Sequence, residues 1–345
     1  MESARADAVL SVRNLVVEVD SDGGPVRLLN GIDFDVRAGE VFGIVGESGS
    51  GKSITMLAIM GLLSLGSARI ASGEVQLQGR DLLLLDPASW RRVRGSGIAM
   101  VFQDPMTSLN PVLAVGPQVA EMMRAHDRQL SRRDARDRAI DLLAAVGIPD
   151  PGRRYDQYPH EFSGGMRQRA MIAMAVANDP TVLIADEPTT ALDVSIQAQV
   201  MQVLSDMRRR SGASMILVTH DLGLIAEHAD RVAVMYGGSL MELAGVEALF
   251  AQPMHPYTIG LLGSRARPGT EHDVLRAIEG QPPEPQHRPG GCVFHPRCAM
   301  SNGREPCFRQ VPATRTLHDG RSVHCHFPDE AEAWRQSTSP RALPR

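Results

Sequence analysis

The chain has almost no lysine. Of 36 basic side chains in 345 residues, only the one at position 52 is lysine. No apolar stretch approaches the ~18 residues that a membrane-spanning helix needs, so any work at a membrane has to run through partner chains. The N-terminus carries Glu2, Arg5 and Asp7 without an apolar core segment, so no signal peptide is expected. A net charge of −4 provides no field for nucleic acid. Cysteine is missing from the first 290 residues, and four follow; in a reducing compartment such a cluster suggests metal before disulfides. The remaining composition, 43% hydrophobic and 22% charged, is that of a soluble globular protein. The length suits one large domain and a smaller one.

The single lysine stands in a telling place. Val41–Val45 is a short apolar run that reads as a buried strand, and Ile54, Leu57, Ala58 and Leu62 follow at helical spacing. Between them lie Gly46, Glu47, Ser48, Gly49, Ser50, Gly51, Lys52 and Ser53. Strand, G-x-x-x-x-G-K-S and helix form the context of a phosphate-binding loop. Glycines let backbone N–H groups turn inward around phosphate oxygens, and the helix N-terminus adds its dipole. Lys52 is expected at the β- and γ-phosphates of ATP, where a compact ammonium fits and a planar guanidinium does not. The Ser53 hydroxyl is expected on Mg²⁺.

A second run, Val182–Ala185, ends in two carboxylates. A strand there would deliver Asp186 to the Mg²⁺ shell, where a carboxylate is the natural hard ligand. Glu187 would point elsewhere and polarise a water in line with the γ-phosphate. A solvated acidic turn is the plainer alternative, weakened by the phosphate loop upstream.

Around these motifs, residues 9–19 and 26–36 alternate as two antiparallel strands, 73–79 reads as a third, and 98–102 as a core strand ending at Gln103. Residues 112–147 turn helical, with a capping-box-like Ser131…Asp134, an apolar face of Ala135, Ile140, Leu143 and Val146, and Gly147 as a stop. Helices are expected from Ser163 to about 178 and over 195–210, and strands at 215–219 and 232–236. Strands alternating with helices imply an α/β fold with a mainly parallel core sheet covered on both faces. No internal repeat is visible, so a single cassette is expected. From 264 onward, prolines punctuate a polar linker into the cysteine-bearing stretch, and 329–345 reads as disordered.

Phe162-Ser163-Gly164-Gly165-Met166-Arg-Gln-Arg resembles the signature motif of ABC ATPases. Asp186-Glu-Pro-Thr-Thr-Ala-Leu-Asp193 resembles their Walker B and D-loop, Thr219-His220-Asp221 their switch histidine, and Gln103 their Q-loop glutamine. The likeness spans roughly 9–263. It implies a P-loop ATPase with an antiparallel β subdomain and a helical signature subdomain, in which two cassettes sandwich two nucleotides. Ser163, Gly164 and Gly165 would then hold the γ-phosphate of the opposite subunit's ATP, and Asp193 would join the ATP-binding residues. His220 would contact the γ-phosphate and the attacking water, and Gln103 would touch Mg²⁺ or that water. Met166 replaces the commoner glutamine, and Val19 stands where many relatives stack an aromatic ring on adenine.

Phe102-Gln-Asp-Pro-Met-Thr-Ser-Leu-Asn-Pro111, His255-Pro-Tyr-Thr258 and the cysteines at 292, 298, 307 and 325 narrow the resemblance. They are similar to dipeptide, oligopeptide and nickel importer ATPases, nearest the dipeptide-permease branch, and extend the likeness to about 328. The resemblance implies a motor peripheral to the cytoplasmic face of the inner membrane. Its partners would be a second cassette, a paralogue or a copy, two membrane permease subunits and, indirectly, an extracytoplasmic substrate-binding protein. A segment at 104–117 would dock the permease, with Met106, Leu109 and Val112 as apolar contacts; the plainer alternative is that these three pack internally. The rival is a soluble ABC ATPase in nucleic-acid work or cofactor assembly; the interval from 53 to 163 is too short for a repair-type coiled-coil insertion.

The cysteines are spaced C-x5-C-x8-C-x17-C, without the C-x2-C pair of zinc ribbons. Cys292, Cys298, Cys307 and Cys325 nevertheless make a complete set for a [4Fe–4S] cluster or a tetrahedral Zn²⁺, and relatives with a cluster at corresponding cysteines favour the first. Uncoordinated thiols remain the alternative. His295, His324 and His326 are near enough in sequence to compete as ligands for a zinc ion, but packing or surface histidines are the plainer expectation.

Overall fold

The computed structural model describes residues 8–63, 67–190, 193–264, 278–317 and 319–338. Strands and helices are numbered in chain order. The predicted hairpin forms as β1 (Ala8–Val19) and β2 (Val26–Arg37), antiparallel from Ala8↔Arg37 to Val19↔Val26. With β4 (Ala68–Leu77) and the two-residue β5 (Arg80–Asp81) they make a four-stranded sheet in the order β2-β1-β4-β5.

The central sheet holds β3 (Val41–Val45), β6 (Ile98–Val101), β7 (Val182–Asp186), β8 (Ser214–Val218) and β9 (Arg231–Tyr236) in parallel, in the spatial order β9-β3-β8-β7-β6. Each of β3, β6, β7 and β8 is buried along its whole length, as an apolar run covered on both faces must be. Alternation divides their side chains between two cores. Leu183, Ala185, Val45 and Leu217 face the helical side; Val182, Ile184, Ile44 and Ile216 face the antiparallel sheet.

The helices are α1 (Lys52–Ile59), α2 (Pro87–Val93), α3 (Pro105–Ser108), α4 (Val115–His126), α5 (Arg132–Ala145), α6 (Pro151–Arg154) and α7 (Gly164–Val176), then α8 (Val194–Ser211), α9 (Leu222–His228), α10 (Val246–Ala251), α11 (Pro256–Gly263), α12 (Glu305–Arg309) and α13 (Pro328–Thr338). The predicted helical stretch divides into α4 and α5. Ser131 caps α5 as expected, its hydroxyl accepting from the Asp134 N–H at 3.1 Å. The reciprocal half differs: the Asp134 carboxylate accepts from the Ser131 hydroxyl at 2.8 Å, because aspartate is a methylene shorter than the glutamate of a full capping box. Ala135, Leu143 and Val146 are buried, whereas Ile140 is half-buried and Ala139 completes the face. Gly212, in the left-handed region, closes α8 behind three arginines, as expected.

The C-terminal stretch departs most from expectation. β12 (Ser322–Val323) pairs antiparallel with β10 (Ser239–Gly245), and β11 (Arg315–Thr316) adds beyond it, so the central sheet runs β11-β12-β10-β9-β3-β8-β7-β6. Val293 and Phe294 are buried in the same core as Tyr236 and Tyr257, and Phe294 packs edge-on to Tyr236 at 5.2 Å. The extension thus continues the core of the larger domain. The expected linker falls largely on 265–277, outside the described residues. Where the sequence predicts disorder from 329, the structure places α13. Its proline at the helix start, the acidic Asp329 and Glu330 in its first turn and the fully buried Ala331 account for it; 339–345 lie outside the described residues.

Candidate functional site

The phosphate loop leaves the buried end of β3 at Gly46. A Cβ there would lie 2.2 Å from the Met235 carbonyl oxygen, so no side chain fits. Gly51, at φ 104°, would put a Cβ 2.8 Å from Leu29. The loop is also tied from β9–β10: the Gly238 N–H donates to the Ser50 carbonyl at 3.0 Å. Lys52 opens α1, is buried, and folds its ammonium back over the loop, donating to the carbonyls of Gly46 at 2.9 Å and Glu47 at 3.1 Å. Burial lowers its pKa, while the nearby Glu187 and Asp186 charges work the other way.

Asp186, at the end of β7, is 5% exposed. Burial pushes its pKa up, and the Ser53 hydroxyl, donating to it at 3.3 Å, works to lower it. A buried carboxylate beside a hydroxyl is a donor set that fits a hard divalent cation, whose charge would offset the desolvation. Glu187, next in sequence, sits in the left-handed region at φ 46°, held by its N–H on the Val218 carbonyl at 2.8 Å. A non-glycine residue there is strained, and such strain collects at functional positions. The turn swings the Glu187 carboxylate onto a different set of partners from Asp186. It accepts from Gln103 Nε2 at 3.1 Å and the Thr190 hydroxyl at 2.8 Å, and His220 Nδ1 lies 3.5 Å away.

The strand order explains this convergence. Gln103, Glu187 and His220 follow the C-terminal ends of β6, β7 and β8, neighbours in the sheet, and the phosphate loop follows β3 beside them. Open parallel sheets bind ligands at that edge. The predicted Gln103, Asp186, Glu187, His220, Lys52 and Ser53 therefore come together. Thr190, within the same acidic motif, was not singled out by sequence reasoning; it fixes Glu187.

Ser163, Gly164 and Gly165 stand apart. Ser163 caps α7, its hydroxyl accepting from the Met166 N–H at 3.3 Å. Ser163 and Gly164 are exposed, and a Cβ on Gly165 would sit 3.0 Å from Ile196. Among the described residues no hydrogen bond or ion pair joins these three to the phosphate-loop cluster. Asp193 is exposed at the start of α8 and makes no side-chain cap. Val19, expected where many relatives stack an aromatic ring, is half-buried at the end of β1.

In the 104–117 segment, Met106 is 51% and Val112 75% exposed, but Leu109 is 2% exposed and belongs to the interior. Leu113, 44% exposed, takes its place on the surface. The buried Gln118 amide pins the loop, donating to the carbonyls of Asn110 and Leu113 at 3.0 Å each.

All four cysteines are free thiols, and they line one enclosed space with His255, Met300 and Phe327. Burial raises every thiol pKa, Cys298 to about 11 and Cys325 to about 12. Among the described residues no group of three or more His, Cys, Asp or Glu is disposed to hold a metal ion. The tail histidines have other partners: His295 the Cys292 carbonyl at 2.9 Å, His324 the Thr314 hydroxyl at 3.0 Å, and His326 the Gln310 carbonyl at 2.9 Å. A cavity of about 990 Å³ lies elsewhere, between the β1–β2 hairpin, β10 and the extension, and includes no phosphate-loop residue.

Comparison with known proteins gives the family. The ABC transporter family profile matches residues 29–190, and that of the oligopeptide/dipeptide transporter C-terminal region matches 241–307. The chain is 48% identical to the dipeptide transport ATP-binding protein DppD of Bacillus subtilis, over 94% of this chain and 96% of that protein. It is 45% identical to DppD of Escherichia coli, over 93% and 97%. Among solved structures, a dimeric post-hydrolysis state of an ATP-binding cassette bound to ADP and Pi superposes with a TM-score of 0.61 at 26% identity, covering 69% of this chain and 98% of that one. No described helix is long and apolar enough to cross a membrane. The chain belongs to the ABC transporter family, as an ATP-hydrolysing subunit of the dipeptide and oligopeptide importer branch.

Proposed function

We propose that this chain is the peripheral motor of a peptide importer, working as one half of a cassette pair on the cytoplasmic face of the inner membrane. Residues 46–53 would cradle the phosphates, with Lys52 moving from the loop carbonyls to the β- and γ-oxygens as ATP arrives. Ser53 and Asp186, with Gln103 nearby, would hold Mg²⁺, which supplies charge neutralisation when bound. Glu187 would accept the proton of the attacking water, and His220 would hold the γ-phosphate side of that water. Ser163, Gly164 and Gly165 would complete the site of the partner cassette, with Asp193 at the seam. The observation that carries this reading is the division itself. Six functional side chains gather at one sheet edge, while the capped, exposed start of α7 faces solvent.

Two membrane permease subunits, fed by an extracytoplasmic binding protein, would dock on the loop that displays Met106, Val112 and Leu113. Co-expression with a dipeptide-type permease pair tests this. Photo-crosslinkers at 106 and 112 should capture a permease subunit, whereas one at the buried 109 should not. Crosslinks from neither exposed position, in a complex that still co-purifies, would move the docking surface elsewhere.

In this reading residues 1–263 form the nucleotide-binding domain, and 264–328 an extension stapled by a [4Fe–4S] cluster on Cys292, Cys298, Cys307 and Cys325. Four free thiols lining one space support the ligand set. Protein purified without oxygen should be brown and carry about four iron atoms per chain. Cys→Ser at any of the four should lower iron and expose 290–328 to protease while ATP still binds. One zinc per colourless chain would replace the cluster, and no metal after reconstitution would remove it.

A further inference from the structure

We infer that Arg297, in the cysteine-bearing extension, is a positioning residue for the phosphate loop, clamping Glu47 and so setting nucleotide affinity from outside the cassette motifs. The two residues are 250 apart in sequence. The Arg297 side chain is 7% exposed and meets both oxygens of the Glu47 carboxylate, Nη1 to Oε2 at 2.6 Å and Nη2 to Oε1 at 3.1 Å. This is the bidentate fork that arginine forms and lysine does not. Its other donors are also used. Nη1 reaches the Tyr236 hydroxyl at 3.2 Å, Nη2 the Ile278 carbonyl at 3.1 Å, and Nε the Glu279 carbonyl at 2.9 Å. The guanidinium is therefore fixed from both β9 and the extension.

Glu47 is held at its other end as well, its N–H donating to the Tyr257 hydroxyl at 2.9 Å. Its carbonyl is one of the two on which Lys52 rests. A residue fixed at side chain, N–H and carbonyl sets the path of the loop whose amides must face phosphate. Arg297 also neutralises a carboxylate that would otherwise stand next to an arriving polyphosphate. Removing the arginine thus has two consequences of the same sign: the loop loses its clamp and gains an uncompensated negative charge.

The inference rests on the phosphate-loop reading, and the full chain with Mg·ATP tests it by titration calorimetry. Arg297→Gln should raise the ATP Kd about 10-fold, equivalent to about 1.4 kcal/mol, with the loss in turnover falling mainly on KM. Adding Glu47→Gln should recover part of that loss, because the unpaired carboxylate is gone; a purely structural defect would not be relieved by a second lesion. Arg297→Lys keeps the charge without the fork and should raise Kd about threefold, a change of under 1 kcal/mol. It carries the test if the glutamine variant does not fold. Arg304→Gln, which breaks the pair between Arg304 of the extension and Glu330 of α13, should leave affinity unchanged. A Kd within twofold of the parent for both Arg297 variants, or strictly additive losses in the double variant, would overturn the inference. Lys52→Ala separates the two readings: it should abolish measurable ATP binding, and if it does not, the phosphate-loop reading itself fails.

Discussion

Glu187→Gln should reduce steady-state ATP hydrolysis by about 10²- to 10⁴-fold, the span of a lost general base, with ATP affinity unchanged. The geometry separates the two effects. Glu187 touches Gln103, Thr190 and His220, whereas the loop carbonyls and Ser53 engage Lys52 and Asp186. Glutamine keeps an acceptor oxygen for the Thr190 hydroxyl, so the local fold has no reason to change. It loses the ability to take a proton from water. The variant should accordingly accumulate an ATP-bound cassette pair, visible as a doubled mass in size-exclusion chromatography with Mg·ATP. Turnover within threefold of the parent would remove Glu187 from the base role.

Ser163→Arg should lower hydrolysis by about 100-fold or more, the order of losing a preorganised donor to phosphoryl charge, while single-site ATP binding persists. Ser163 makes no contact with the phosphate-loop cluster of its own chain among the described residues, so a direct effect on binding has no path. Its hydroxyl instead caps α7 at an exposed surface. Losing the cap costs about 1 kcal/mol, which the buried face of α7, including Ala170, Met171 and Ile172, can bear. Bulk and a fixed charge at that helix start would stop a second cassette from closing on it. Combining Ser163→Arg with Glu187→Gln gives the sharper readout: the ATP-dependent pair trapped by the second change should vanish. Undiminished hydrolysis, or a pair that still forms, would contradict the two-cassette arrangement.

The site was legible because its chemistry lies in contiguous strings. A phosphate loop needs a strand, glycines, a lysine and a helix start in unbroken order, and Val41–Ser53 supplies them. The run Val182–Glu187 shows both carboxylates, but not that Glu187 adopts a left-handed backbone. That follows from the Val218 carbonyl on the neighbouring strand. Leu109 shows the opposite limit. Expected with Met106 and Val112 as an apolar docking contact, it belongs to the interior, beside a loop that the Gln118 amide ties at Asn110.

The amino-acid sequence alone determined the ATP chemistry, the signature helix and the presence of four late cysteines, since each depends on residues within a few positions of one another. Only the tertiary structure decided what the extension is attached to. Proline-rich composition suggests a tail on a linker. The pairing of Val323 with Glu242, the packing of Phe294 on Tyr236 and the bond from Arg297 to Glu47 make that tail a wall of the phosphate loop. None of these has a local signal. A half-buried carboxylate in a glycine-rich loop and an arginine next to a cysteine are each ordinary surface residues until folding brings them within 2.6 Å. There each becomes a partly desolvated counter-charge to the other.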